Sequence, residues 1–480
     1  MMRNPGILRG DTLADIVGRP PVVVSDSASL RSALHLMDKE RVGSVVVVEG
    51  ADRPIGIVTL QDVLHRVALP GADLDWPITE VMSRDIQSLP VDATVYDASL
   101  LMSRHRFRHL PIVDGQGRLV GVVSRNQLND PLGGRVEHLA RRIGEARNTE
   151  QLVALAPETR DIAADLADRD AGAGLLTRVL SGLNDLLTAR LLVLIEERHR
   201  LPPAPWAWLA FGSEGRFEQT FATDQDNGII FSAAGDAEAK ALRGLFAGFA
   251  RDVNEALDRC GFPLCAGNVM AGNEKWCLSL AEWRQSFATW IRTPDPDALL
   301  NATIFFDFRA LYGEADLAEQ LRRHLLALTT SNGLFLRAMA HNALDVGPPL
   351  GTFRDFVTDQ DADHPGCIDL KKYGIRLFVD AGRIYALATG VRNTNTVQRL
   401  RLAAQRLNVK PEEVEATVEA LHFIQLLRLR HQHLEGEPGR QGDNHVNPEQ
   451  LNELDRRILK ESFRQARKLQ NRLKLDYQVG

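Results

Sequence analysis

The sequence predicts a multidomain chain with α/β and all-α parts. Three observations point there: a β–α duplication over residues 12–130, two apolar strand runs between 206 and 231, and a last third patterned for helix throughout. The 480 residues suit about three domains at ~100–200 residues each. The expected boundaries are 1–132, a helical linker region at 133–205, then 206–314 and 315–480. Lys and Arg number 57 against 63 Asp and Glu, a net charge of −6 that argues against a nucleic-acid coat. Apolar runs such as Val45–Val48 and Leu191–Ile195 fall far short of the ~18 residues a membrane span needs. Residues 1–11 show no apolar core behind a basic start, so no secretory signal is expected. Four cysteines without a CxxC pair make no disulfide framework. Cys260, Cys265 and Cys277 read as structural rather than zinc ligands, and a cytoplasmic location is expected.

The first copy of the repeat starts with a helix, Ser29–Glu40, apolar at Leu30, Ala33, Leu34 and Met37. A strand run Gly43–Val48, a turn at Ala51–Pro54, a second run Ile55–Thr59 and a helix opening at Leu60–Asp62 follow. The second copy repeats this with Val95–Arg104, His109–Val113, Asp114–Gly117, Leu119–Ser124 and Arg125–Gln127. The phrase Gly-[Ile/Val]-Val-[Thr/Ser]-x-x-[Asp/Gln] therefore occurs at 56–62 and again at 121–127.

This pattern resembles a CBS-domain pair. The resemblance implies two packed β–α units, clefts that often hold adenine nucleotides, and in many relatives a homodimer interface. Thr59 and Ser124 sit where a strand gives way to a helix, so free N–H groups and a hydroxyl face an anion. Asp62 is a candidate ribose acceptor, or else only a first-turn acid that favours its helix. Gln127, neutral, replaces it in the second copy and is a poorer acceptor.

Residues 131–150, rich in Gly and Arg, read as a linker running into a helix. Leu175, Leu176, Val179, Leu183, Leu186 and Leu187 recur at helical spacing, and Pro202, Pro203 and Pro205 end that stretch. Trp206–Phe211 then reads as a buried strand. It ends in Gly212-Ser213; ten residues later Asp224-Gln-Asp226 precedes a second apolar run, Ile229–Phe231. Strand residues two apart share a face, so both carboxylates point one way. Their repulsion calls for a raised pKa or a bound cation. Oxygen-only ligation suits Mg²⁺ held by carboxylates and phosphates. Gly212 lets backbone approach a phosphate, Ser213 adds a donor, and the Arg216 fork fits a phosphate. The competing reading makes both aspartates ordinary turn residues.

The stretch resembles the nucleotidyltransferase signature of the DNA polymerase β superfamily. With Glu218, which also suits a salt bridge to Arg216, it is similar to the catalytic domain of the PII-protein uridylyltransferases. It looks closest to bacterial nucleotidyltransferase-like proteins with an N-terminal CBS pair. Gly267–Asn273 with Trp276, Phe305–Arg309, Asp369–Lys372, and Asn395-Thr396 with Arg399-Leu400 extend the likeness. The resemblance implies a polymerase-β-like α/β domain and two Mg²⁺ ions on Asp224 and Asp226. It also implies a nucleoside triphosphate on Gly212, Ser213 and Arg216, and in-line displacement. A third acid usually completes such a site. Asp307 is the candidate, and an ion pair with Arg309 or a helix-side pair elsewhere is its other role.

Residues 315–475 read as helices that cover the catalytic sheet, at Leu317–Thr329, Leu334–Ala343, Lys372–Thr389, Thr396–Leu407, Glu412–Leu434 and Glu449–Lys474. The last holds eight Lys/Arg and four Asp/Glu, which suits a solvated face. His431 and His433, two apart on a helix, do not face each other and are discounted as a metal pair. Asp369, Lys371 and Lys372 precede a helix within reach of a nucleotide or acceptor.

The expected function is CBS-regulated transfer of UMP or AMP from its triphosphate to a hydroxyl, with a signalling protein such as PII as a candidate acceptor. The alternative is a catalytically weak or inactive nucleotide-sensing regulatory protein.

Overall fold

The computed structural model describes residues 12–479 apart from 18–19, 51, 85, 106, 125–130, 170, 352–355, 359–363 and 436–442. Arg125 and Gln127 of the second repeat lie outside the described residues. The chain divides into two compact units, Met1–Gly144 and Glu145–Gly480.

The first unit holds the duplication. Its first copy contains β1 (Val23–Ser25), α1 (Leu30–Lys39), β2 (Ser44–Glu49) and β3 (Arg53–Thr59). The second contains β4 (Leu89–Pro90), α2 (Val95–His105), β5 (His109–Val113) and β6 (Leu119–Ser124). Each copy makes a three-stranded sheet: the first strand runs parallel to the second, and the second antiparallel to the third. Ser44 pairs with Thr59 and His109 with Ser124, so the repeated hydroxyl ends its strand at the same place in both copies. α1 starts at Ser29, whose hydroxyl accepts the Ser32 N–H, and buries Leu30, Ala33 and Met37. The copies keep separate cores, one around Val45, Val47 and Val58, the other around Leu110, Ile112 and Val123.

The stretch read as a linker is helical: α3 runs Pro131–Glu145. Its Gly-rich composition masks an apolar stripe, for Val136, Leu139, Ala140 and Ile143 are all buried. Next come α4 (Thr149–Asp168) and α5 (Ala173–Glu196). The catalytic sheet expected from sequence is four-stranded: β7 (Trp206–Ala210), β8 (Asn227–Phe231), β9 (Cys277–Ser279) and β10 (Arg309–Gly313), in the order β10-β7-β8-β9. Only β8 and β9 run parallel. Every residue of β7 and β8 is buried, which is why both read as unbroken apolar runs. α6 (Asp236–Arg259) and α7 (Leu280–Arg292) pack at the β9 edge, followed by α8 (Pro296–Phe305). α9 (Ala315–Thr329) lies against β7, β8 and β10. The core beneath is aromatic, with Phe211, Trp283, Phe305, Phe306 and Phe308 fully buried.

The last third is helical as read: α10 (Gly333–Leu344), α11 (Arg376–Thr389), α12 (Thr396–Arg406), α13 (Pro411–Glu435) and α14 (Glu453–Asp476). A two-stranded ribbon interrupts it, β11 (Ile368–Asp369) with β12 (His445–Val446). Phe378, Leu421, Ile424 and Phe463 form its own core. Among the described residues no helix is long and apolar enough to cross a membrane.

Candidate functional site

The site forms where β7 ends. Gly212–Gly215 makes one helical turn directly after the strand. Gly212 has φ +54°, and a Cβ there would lie 2.8 Å from Asp226 Oδ2. Only glycine takes this conformation freely and leaves the carboxylate its room. Gly215 is as constrained, since its Cβ would lie 1.9 Å from the Asp307 carbonyl oxygen. Gly212→Ala should cost roughly 1–2 kcal/mol, from the positive φ alone. Urea unfolding measures it, and an unchanged midpoint would contradict the reading.

Asp224 and Asp226 lie just before β8 rather than in it. The Asp226 carbonyl still continues the ladder, accepting the Phe211 N–H at 2.8 Å. Their intervening neighbours are locked inward. Gln225 Nε2 donates to the carbonyls of Asn254 and Phe262, at 2.9 and 2.8 Å. Asn227 Oδ1 accepts from Asn254 Nδ2 at 3.0 Å and from the Ala271 N–H at 2.9 Å. With Gln225 and Asn227 turned into the protein, alternation puts Asp224 and Asp226 on the other face. The loop Gly267–Asn273 thus serves to clamp the aspartate segment, through the Val269 carbonyl on the Asn227 N–H and the Gly272 N–H on Asn254 Oδ1.

Asp224 is exposed and Asp226 half-buried. Among the described residues neither forms an ion pair within 4.0 Å; Cys265 Sγ donates to Asp226 Oδ1 at 3.5 Å. Burial, then the Asp224 charge, pushes the Asp226 carboxyl up to about 7, while Lys371 and Arg216 pull it down more weakly. Lys371 therefore lies in the electrostatic field of the aspartates. Arg428 does too: burial pushes it down to about 10 while Asp369 and Asp224 hold it up. Sequence reasoning missed Arg428 and Cys265, for nothing local marks either. Cys260 and Cys277 are buried thiols whose pKa burial raises to about 12, as structural cysteines require.

Glu214 was not anticipated either. It is buried, and burial followed by the Asp185 charge pushes its carboxyl up to about 8, against the pull of Arg309. Both Glu214 and Asp226 hold their proton to higher pH folded than unfolded. Through the window from the ordinary carboxylate range to about 8 the folded chain binds more protons, so stability falls as pH rises. The urea midpoint of metal-free protein should drop from about pH 5 to about pH 8, and Asp226→Asn should remove part of that drop. A slope equal in both proteins would contradict the assignment.

Arg216 and Asp307 differ from the sequence expectation. Arg216 Nε donates to Glu218 Oε2 and its Nη1 to Asp307 Oδ2, both at 2.8 Å, so two of the donors expected on a phosphate are committed inside the protein. Asp307 is fully buried. Its Oδ1 also accepts from Arg383 Nε at 3.0 Å and from Arg399 Nη1, and its Oδ2 from Arg383 Nη2 at 2.7 Å. A carboxylate enclosed by three guanidiniums is no third metal-binding acid. Nor does it pair with Arg309, which binds Asp185 Oδ1 at 2.6 Å and the Glu214 carbonyl. The arginine cluster instead fastens the helical region to the turn after β7. Thr394 Oγ1 donates to the Gly215 carbonyl at 2.7 Å, and the Thr396 N–H to Glu218 Oε1 at 2.7 Å.

In the first unit Thr59 and Asp62 line a cavity of about 410 Å³ with His65, Arg66, Ser83 and His109. Asp62 Oδ2 accepts from Thr59 N and Oγ1, at 2.9 and 2.7 Å, as a capping box. The helix-favouring role of Asp62 is therefore present, and it occupies one of its oxygens. His109 Nδ1 is buried there without a hydrogen-bond partner. Ser124 ends β6 and is not among the residues lining this cavity.

Family comparison places a CBS domain at residues 13–69 and 78–130. Residues 157–297 match the family described as "Putative nucleotidyltransferase DUF294", and 333–477 match "Putative nucleotidyltransferase substrate binding domain". The CBS domain-containing protein YhcV of Bacillus subtilis is 35% identical over 117 residues, 24% of this chain and 82% of that protein. An uncharacterised 17.7 kDa protein of Acidianus ambivalens is 34% identical over 106 residues, 22% of this chain and 63% of its own length. An uncharacterised protein of Methanopyrus kandleri is 33% identical, over 25% of this chain and 62% of that one. The chain thus spans just under two thirds of these last two. Among solved structures, a signal-transduction protein with CBS domains from Burkholderia ambifaria is 30% identical, covering 24% of this chain and 90% of that one at a TM-score of 0.23.

Proposed function

The chain belongs to the CBS-domain-containing proteins, and we propose that it is a nucleotide-sensing regulatory protein built on a nucleotidyltransferase-like domain, with weak or no nucleotidyl transfer. One observation carries this reading. Asp224 and Asp226 stand beside Gly212 without a counter-charge at ion-pair distance among the described residues, while the expected third acid is spent on arginines. Two carboxylates suffice to bind a nucleoside triphosphate with a divalent cation. Rapid two-metal displacement asks for more.

The donor set fits Mg²⁺: two carboxylates on one face, one of them with its pKa raised by burial and its neighbour's charge. When bound, the ion neutralises phosphate charge. Gly212 lets the phosphates approach the backbone, where the first N–H groups of the turn would donate to them. Arg216 acts chiefly by bracing that turn, and Asp307 holds Arg216. Lys371 and Arg428 supply positive potential near the aspartates. In this proposal residues 206–314 bind the nucleotide and 315–480 cover it. The CBS cavity takes an adenine nucleotide through Thr59, Asp62 and the unpartnered His109, with Ser124 as the equivalent group of the second copy, and two chains pair through their CBS units.

A second reading, magnesium-dependent transfer of UMP or AMP to a hydroxyl acceptor as in uridylyltransferase-like enzymes, is favoured by the same unpaired aspartates. Labelled triphosphates with Mg²⁺ and cell extract separate the two. Tight binding with no label transferred supports the regulatory reading. Transfer that Asp224→Ala/Asp226→Ala abolishes replaces it with the enzyme.

A further inference from the structure

A second polar cluster lies around the β11–β12 ribbon, where Asn444 Oδ1 accepts from Arg428 Nε at 2.6 Å. His364 sits in the turn leading to β11, and Asp443 and His445 stand at the start of β12. Their three ligand atoms lie within 4.8 Å of one another. His364 Nδ1 is 3.4 Å from Asp443 Oδ2, and His445 Nδ1 is 3.7 Å from the same oxygen. These separations are long for hydrogen bonds. They are close to the ~3.3–3.4 Å between ligands of a tetrahedral ion with bonds near 2.0–2.1 Å.

The surroundings orient the carboxylate for this purpose. Asp443 Oδ1 accepts from His431 Nε2 at 3.0 Å and from the His445 N–H at 2.8 Å. That leaves Oδ2 turned to the two imidazoles. His445 Nδ1 is buried without a hydrogen-bond partner. The two rings stack in parallel, centroids 3.9 Å apart at 3°. Both Nδ1 atoms therefore reach the carboxylate from the same side. An ion between them requires the rings to tilt, which their partial exposure, 34% and 23%, allows.

We propose that His364, Asp443 and His445 bind a divalent transition-metal ion of the zinc class, with His431 as the positioning residue for Asp443. Two imidazoles and a carboxylate suit Zn²⁺ and disfavour Mg²⁺. Three protein ligands leave a fourth position open to water or an anion. The ligand set shares no residue with the aspartate pair, and bound metal would fasten the turn at His364 to β12.

The test uses the full chain, stripped with a chelator and titrated with Zn²⁺ alone and with Co²⁺ alone. The wild type should take up one Zn²⁺ per chain and give the visible absorption of four-coordinate Co²⁺. His364→Ala/His445→Ala should lose both while keeping its circular dichroism. His431→Ala should weaken binding about 10–100-fold, as loss of an outer hydrogen bond to a ligand does. Asp224→Ala/Asp226→Ala should bind Zn²⁺ as the wild type does. No uptake by the wild type, or uptake unchanged in His364→Ala/His445→Ala, would overturn the proposal. Should that double variant misfold, the wild-type Co²⁺ spectrum decides alone: octahedral or absent bands overturn it.

Discussion

Asp307→Ala should destabilise the second unit by about 3–5 kcal/mol, the cost of removing one partner from a buried ion-pair network. The carboxylate is fully buried and accepts from Arg216, Arg383 and Arg399. Without it Arg383 keeps Asp380 and Arg216 keeps Glu218, but Arg399 is left with the Asn393 carbonyl. The turn Gly212–Gly215 should loosen with it, because Arg216 and the Gly215 contact both lead to this residue. Burial opposes ionisation of Asp307, yet its three arginines hold the carboxyl well below the usual carboxylate range. Its contribution is therefore present above the ordinary carboxylate pKa and lost as pH falls through the lower folded value. Urea unfolding of the wild type and Asp307→Ala at neutral pH measures the difference. A loss under about 1 kcal/mol would mean the cluster is a surface-like network of little worth.

Asp224→Ala/Asp226→Ala should weaken magnesium–nucleotide binding at least about 100-fold, equivalent to ~2.7 kcal/mol. Both ligands of the cation go, and the triphosphate then meets the turn without charge neutralisation. Stability of the unliganded chain should change little or rise, because Asp226 carries a burial cost that no ion pair offsets. The variant is thus expected to fold and yet show no nucleotide-dependent rise in melting temperature. In the wild type, nucleotide at 100 times its Kd should add about 2.7 kcal/mol. A variant that still responds fully would place the nucleotide elsewhere.

The reach of sequence reasoning follows the range of the interactions. The repeat was legible because strand register and turn chemistry recur within each copy, down to the matched Thr59 and Ser124. The shared face of Asp224 and Asp226 was legible from alternation alone, and the buried Gln225 and Asn227 show the mechanism. An ion pair was one of the two roles legible for Asp307, but its partners were not. Arg383 and Arg399 lie 76 and 92 residues away in sequence, and a lone acid among phenylalanines looks the same whether it meets a cation or an arginine. Nothing in the local sequence marks Glu214 as buried, and only the packing of Asp185 and Arg309 around it shows its burial. His433 Nε2 lies 3.1 Å from Asp168 Oδ1, while His431 meets Asp443. The cluster that His431 does join draws on His364 and on Asp443 across a ribbon, which no local spacing announces.

Calorimetric titration of each magnesium–nucleoside triphosphate into the wild type and into Asp224→Ala/Asp226→Ala tests the central claim most directly. The wild type should show one triphosphate site per chain in its second unit, dependent on Mg²⁺ and lost in the double variant. Equal binding to both proteins, or none to the wild type, would contradict it.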